Sequence, residues 1–380
     1  MDLSHIFISK KILSKAFCAV LFSVLSFSAY SQEQVTADSA ITEAAEAHAP
    51  EAEEEENISE IILHHIADSH EWHFFGDYAL PLPVILYTEN GFVNFISNKY
   101  GHNDQGTEVF EEDGVKLVNY HGKFYYPGAN KQADGTYIEH DEDDLAINAK
   151  PLDISITKNV VSLLISVAVL LLVFISIANS YKKREGKAPK GLQSILEPII
   201  LFVRDDIAKP QLGHRYKGFM PYLLTVFFFV WLNNIMGLIP FFPGGANLTG
   251  NIAVTMMLAL CTFILTTVNG NKNYWGHVFT PHVPWWLYPL MIPVEIIGLF
   301  TKPIALMIRL FANITAGHIL VLSLIALIFI LKSVLVAGIA VPFVIFISLI
   351  ELVVGFIQAF IFTILSALFI GMAVEEHAEH

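Results

Sequence analysis

Two almost unbroken apolar stretches near the end of this 380-residue chain, about 289–331 and 335–374, limit its folds more than any other feature. As helices rising about 1.5 Å per residue, each exceeds the roughly 30 Å hydrocarbon thickness of a bilayer. They must tilt strongly, kink or extend past the lipid, and Pro293 and Pro303 supply kink points in the first. The composition agrees. The chain is 54% hydrophobic and 15% charged, with a mean hydropathy of +0.54, whereas a soluble domain carries about a quarter charged residues.

Three further segments share this character. Val160 to Ala178 is long enough to span, and Lys182, Lys183, Arg184, Lys187 and Lys190 follow it. Basic residues stay on the cytoplasmic side, so this helix runs from outside to inside. Ser194 to Ile207 is amphipathic, with Glu197, Arg204, Asp205 and Asp206 on its polar face, and is expected along the inner surface. Met220 to Pro240 returns outward, a short uncharged loop covers 241–250, and Ile252 to Val268 comes back in. A cytoplasmic loop with Trp275, Trp285, Trp286 and Tyr288 suits an interfacial belt. Five spans leave Glu375-Glu376-His377 inside.

The front of the chain differs. Lys10, Lys11 and Lys15, the apolar run Ala16 to Phe27 and Ala29-Tyr30-Ser31 read as a secretory signal over 1–31. Residues 32–60, with Glu53-Glu54-Glu55-Glu56, hold too little apolar surface to offset the entropy of ordering and read as an acidic disordered linker. Residues 61–150 read as a small β-rich domain. Glu89-Asn90-Gly91 between two apolar runs predicts one hairpin, and His121-Gly122 a second. His64, His65, His70 and His73 match no familiar ligand spacing and read as solvated or locally bonded histidines. Residues 151–380 form the membrane domain. The net charge of −14 gathers before residue 150, which points to two compartments rather than to a nucleic-acid partner. The fold class is therefore an all-α integral membrane protein. It has about five spans, an amphipathic surface helix and a small β-rich periplasmic domain in front.

Few ionisable groups interrupt the two long stretches: Glu295, Lys302, Arg309, His318, Lys332 and Glu351. Charge at mid-membrane costs a few kcal/mol, so each is a functional candidate. Lys332 sits at a helix end and can snorkel. Glu295, Lys302 and Arg309 recur every seven residues and share a stripe, with Asn313 one turn further. His318 lies about 180° round from Arg309 and roughly 13 Å along. Glu351 and Gln358 share a stripe on the last helix. If the two helices are antiparallel neighbours, Gln358 is level with Arg309 and Glu351 with His318. Facing both pairs to one helix conflicts with the half-turn between Arg309 and His318 unless Gly317 or a bulge relieves it. Arginine keeps its proton and serves as a fixed charge, while a histidine–carboxylate pair can relay one.

The run Glu295-Ile-Ile-Gly-Leu-Phe-Thr-Lys302-Pro303, then Ile308-Arg309-Leu-Phe-Ala-Asn313-Ile-Thr-Ala-Gly317-His318, resembles subunit a of F-type ATP synthases. So does Gln358-Ala-Phe-Ile-Phe-Thr-Ile-Leu-Ser with the terminal Glu375-Glu376-His377, and the resemblance covers roughly 190–380. It implies a stationary, non-catalytic subunit of the membrane sector. Arg309 would face the acidic residue of a rotating c-ring and Gln358 would lie near Arg309. His318 and Glu351 would form the outer half-path, and Glu295 would belong to the cytoplasmic one. The implied partners are the c-ring, the peripheral stalk with its b subunit, the rest of the F1Fo complex and the bilayer of the inner membrane. No phosphate-binding glycine-rich loop is present, so ATP chemistry is expected elsewhere, and no cofactor or metal is expected. A self-contained transporter would call for inverted repeats, and an intramembrane protease for an HExxH motif or a serine–histidine pair in the spans. The sequence has neither.

Overall fold

A computed structural model describes residues 68–75, 78–100, 103–132, 135–141, 146–184, 187–239, 245–280 and 283–375. The signal and linker readings, His64, His65, Glu376 and His377 lie outside the described residues. The described residues fall into two compact units, one of residues up to Leu164 together with Ile239–Ala246 and the other of Ile165–Leu238 and residues from Asn247 on.

The first unit is β-rich, as expected. Strands β1 (Glu71–Phe75) and β2 (Tyr78–Pro81) form a two-stranded sheet. Strands β3 (Pro83–Thr88), β4 (Gly91–Ile96) and β8 (Leu152–Asp153) form a sheet in the order β4-β3-β8. Strands β5 (Gln105–Glu112), β6 (Val115–Tyr120) and β7 (Lys123–Tyr125) form a third in chain order. Turn chemistry sets the registers. His121 and Gly122 both have positive φ (49° and 72°), the mirror-image turn that matches strand twist. Between β3 and β4 the two turn residues are Glu89 and Asn90, and the left-handed position falls on Gly91 (φ 111°) instead. Val84, Leu86, Val93, Phe95, Leu117 and Phe124 form the core, with the rings of Phe95 and Phe124 edge-on at 5.6 Å.

His70 is buried and its Nε2 lies 2.8 Å from Asp153 Oδ2. Burial alone would raise the Asp153 carboxyl, but the bonds from His70 and Ser155 outweigh it and hold it below the usual carboxylate range.

Helix α1 (Lys158–Lys183) carries the chain out of this unit. Helix α2 (Leu192–Phe202) continues through a π-helical turn, Val203–Ala208, into α3 (Lys209–Leu212) and then α4 (Tyr216–Leu238). Burial corrects the sequence reading of the surface helix. Arg204, expected on its polar face, lies one turn after buried Ile200 and beside buried Val203 and so faces inward. Arg204 is buried and donates from Nε and Nη2 to the two oxygens of Asp205, at 2.9 and 2.7 Å. Next come α5 (Ile252–Val268) and α6 (Lys272–Phe279), bent by 102° to each other. The segment expected as a loop around Trp275 is therefore partly helical, and Asn271 N and Nδ2 tie its start to the carbonyls of Ala373 and Val374.

The long stretches are single helices, α7 (Tyr288–Leu331, 44 residues) and α8 (Val334–Val374, 41 residues). At 1.5 Å per residue they are about 66 and 62 Å long. Only Lys332 and Ser333 separate them, and Lys332 turns left-handed (φ 44°) to close the hairpin. Among the described residues four helices are long and apolar enough to cross a membrane, or five if the bent α5–α6 pair counts as one span.

Candidate functional site

Three contacts fix the register of the α7–α8 hairpin: His318 against Glu351, Gly317 against Glu351, and the Lys302 ammonium 5.7 Å from the Phe369 ring centre. The helices are antiparallel. Continuing this register puts Gln358 opposite residues 310–313, within a turn of Arg309.

The buried stripe of α8 runs through Glu351, Gly355, Gln358 and Phe362, spaced by three or four residues as one helix face requires. It packs closely on α4 at Gly355, and on α7 where that helix has Gly317. A Cβ at position 355 would stand 3.0 Å from Asn234 Cβ, and one at 317 only 2.8 Å from Glu351 Oε1. Asn234 Nδ2 donates to the Gly355 carbonyl at 2.9 Å, and Thr249 Oγ1 donates to Asn234 Oδ1 at 2.7 Å. The three groups satisfy each other in an apolar surrounding.

His318 Nδ1 lies 2.8 Å from Glu351 Oε1, and His318 Nε2 lies 3.2 Å from the Gly237 carbonyl. A carbonyl oxygen only accepts, so Nε2 carries a proton. The remaining proton of the pair then lies between Nδ1 and Oε1, on one atom or the other. Glu351 is 7% exposed and His318 17%. Their neutral sum suits that burial better than a lone carboxylate would.

Arg309 is placed differently. It is exposed, as are Asn313 and the neighbouring Ile308. Among the described residues Arg309 has no ion pair, and no hydrogen bond joins it to the buried Gln358. The half-turn between Arg309 and His318 is thus kept, with no bulge: His318 points into the bundle and Arg309 out of it. Glu295, on the Arg309 stripe, is 29% exposed and lies 3.7 Å from His277 Nδ1.

Several participants were not found from sequence. The Gly237 carbonyl is backbone and leaves no trace in the residue pattern. His277 is 18 positions from Glu295, and only the bend between α5 and α6 hints at their meeting. Tyr222 and the buried Thr262 and Ser366 form a hydroxyl chain, with Thr262 Oγ1 2.7 Å from Tyr222 and 3.1 Å from Ser366. It borders a cleft lined also by Thr266, Tyr274, Lys302 and Phe369.

Comparison with known proteins follows the two-part build. Residues 160–371 match the family model of the ATP synthase A chain, and residues 61–154 match a domain of unknown function, DUF8433. The chain is 48% identical over 233 residues to the ATP synthase subunit a of Chloroherpeton thalassium, covering 60% of this chain and 69% of that one. It is 53% identical over 238 residues to that of Chlorobium phaeobacteroides strain DSM 266, covering 60% and 68%. It is 44% identical over 253 residues to that of Myxococcus xanthus, covering 64% and 81%.

Proposed function

The chain belongs to the ATP synthase A chain family, and from that premise we propose that it is the stationary ion-conducting subunit of a rotary F-type ATP synthase. The observation that carries this reading is Arg309. It is a permanent cation in the middle of a long apolar helix, exposed, and without an ion pair among the described residues. An unpaired charge at that depth calls for a partner outside the chain. A carboxylate on a rotating c-ring supplies one, because Arg309 favours its ionised form when it passes.

The two sides of Arg309 then form two half-paths. A proton enters from the periplasm past the His318–Glu351 pair, whose single shared proton can be handed on and replaced. It neutralises a ring carboxylate, travels round, and leaves on the cytoplasmic side near Glu295. Arg309 blocks the direct route because it cannot release its own proton. Gln358 and Asn313 lie within about a turn of Arg309 and help set its environment. The subunit is not catalytic alone. It works with the c-ring, the peripheral stalk with its b subunit and the rest of the F1Fo complex, in the bacterial inner membrane. The β-rich unit is periplasmic and the C-terminus cytoplasmic. Residues 1–31 are a signal and 32–60 a linker.

Affinity purification of the tagged full chain from membranes tests the assembly. The reading expects a c-ring and a peripheral stalk in the eluate. A chain that purifies alone and transports ions in vesicles would overturn it.

A further inference from the structure

The sheet β4-β3-β8 departs from the pattern of a half-buried sheet. Its inner face holds Val84, Leu86, Val93 and Phe95, so its outer face should be polar. Instead Tyr87, Phe92, Ile96, Leu152 and Ile154 point outward, each between 40% and 63% exposed. Register puts Phe92 and Leu152 on either side of Tyr87, and the Tyr87 and Phe92 rings meet at 5.1 Å. Asn94 is the polar residue of this face, and its strands place no charge there. The other three-stranded sheet follows the usual rule, with exposed Glu111 opposite exposed Lys116. Five half-exposed side chains of this size make a patch of roughly 400 Å², in the range that marks a functional surface on a monomer.

What covers the patch is indicated by how the sheet is held. The segment after β8 stays paired: Ile154 N donates to Ile85 O, Ile156 N to Pro83 O and Lys158 N to Ser69 O, at 2.8, 3.2 and 2.9 Å. Asn159 N, in the first turn of α1, donates to Asp68 Oδ1 at 3.0 Å. The strand thus runs bonded into an apolar helix. Leu152 stands six residues before that helix, which at 3.3 Å per residue keeps its row within about 20 Å of the membrane entry. Uncharged aliphatic side chains around a tyrosine and a phenylalanine are the residue types that settle at a lipid headgroup boundary.

We propose that the outer face of the β4-β3-β8 sheet rests on the outer-leaflet lipid interface and anchors the β-rich unit to the bilayer that α1 enters. The test uses the full chain in its native assembly, in nanodiscs of phosphatidylcholine and phosphatidylglycerol, with Cys18 and Cys261 replaced by serine. Nitroxides are attached at Phe92→Cys, Leu152→Cys and, as an aqueous reference, Lys116→Cys. Power saturation should give an oxygen-to-nickel-chelate accessibility ratio several-fold higher at 92 and 152 than at 116. Adding Tyr87→Glu to the Leu152→Cys chain should lower its ratio towards the reference, with the label mobility at Lys116→Cys unchanged. Ratios at 92 and 152 equal to the reference would overturn the proposal. So would labels there that are immobilised and shielded from both reagents, which would mean a protein partner covers the face.

Discussion

His318 and Glu351 lie 33 residues apart in sequence and 2.8 Å apart in space, Nδ1 to Oε1, with Gly317 leaving just enough room for the carboxylate. Because the Gly237 carbonyl accepts from Nε2–H, the other proton of the pair lies on the line between Nδ1 and Oε1. Replacing Glu351 by Gln or His318 by Ala removes an end of that line. Either change is expected to lower ATP-driven proton uptake into vesicles by about a hundredfold or more, the lower end for a positioned proton-transfer group. Wild-type uptake in both variants would remove the pair from the path.

Gly317→Ala tests the same contact from the side. The new Cβ would stand 2.8 Å from Glu351 Oε1 and force the carboxylate away. Overpacking of this kind costs about 1–3 kcal/mol. Uptake should fall several-fold while the assembled complex stays intact on a native gel. Unchanged uptake would mean that the 2.8 Å geometry is not needed.

The Asn234–Gly355 contact predicts a stability effect. Asn234→Leu removes the donor to the Gly355 carbonyl and leaves Thr249 Oγ1 without its acceptor. Polar contacts between membrane helices are worth about 0.6–1.7 kcal/mol each. The variant should melt at a lower temperature in detergent, by several degrees, and a melting curve identical to that of the unchanged chain would contradict the assignment.

How much of this was legible in sequence depended on the kind of information each residue carries. Length and apolarity announce α7 and α8, which continue through Pro293, Pro303 and Pro342 and are broken at Lys332 and Ser333. Spacing of seven put Glu351 level with His318, and the hairpin register brings the two together. Facing was harder. Facing both to one neighbouring helix conflicts with the half-turn between Arg309 and His318; a helix in a bundle can use two sides, and α7 turns His318 inward and Arg309 outward. The surface helix departs from its sequence reading at Arg204, which shares the buried face of Ile200 and Val203 and has its charge met by the adjacent Asp205. Asp113-Gly114 carries the same hairpin signature in sequence: both residues have positive φ (51° and 77°) and close the β5–β6 hairpin.

The β-rich unit should respond to acid through Asp153. Its carboxyl is held below the usual range in the fold, so its contribution to stability is present above the unfolded value of about 3.9 and is lost as pH falls through the lower folded value. Amide exchange in β3 should therefore stay slow at pH 6 and quicken only below about pH 4. Asp153→Asn should cost about 2 kcal/mol at pH 7, the scale of a hydrogen bond to a charged group, and flatten that acid limb. An acid limb identical to the unchanged chain would exclude Asp153 as its source.

The central claim is that Arg309 is a fixed charge that separates two half-paths. The most direct measurement compares two fluxes in vesicles carrying the Arg309→Ala complex: ATP-driven proton pumping, and passive proton flow through the membrane sector after the soluble sector is stripped. The account predicts that pumping is lost while passive flow is kept or raised. Full coupled pumping by the Arg309→Ala complex would contradict it.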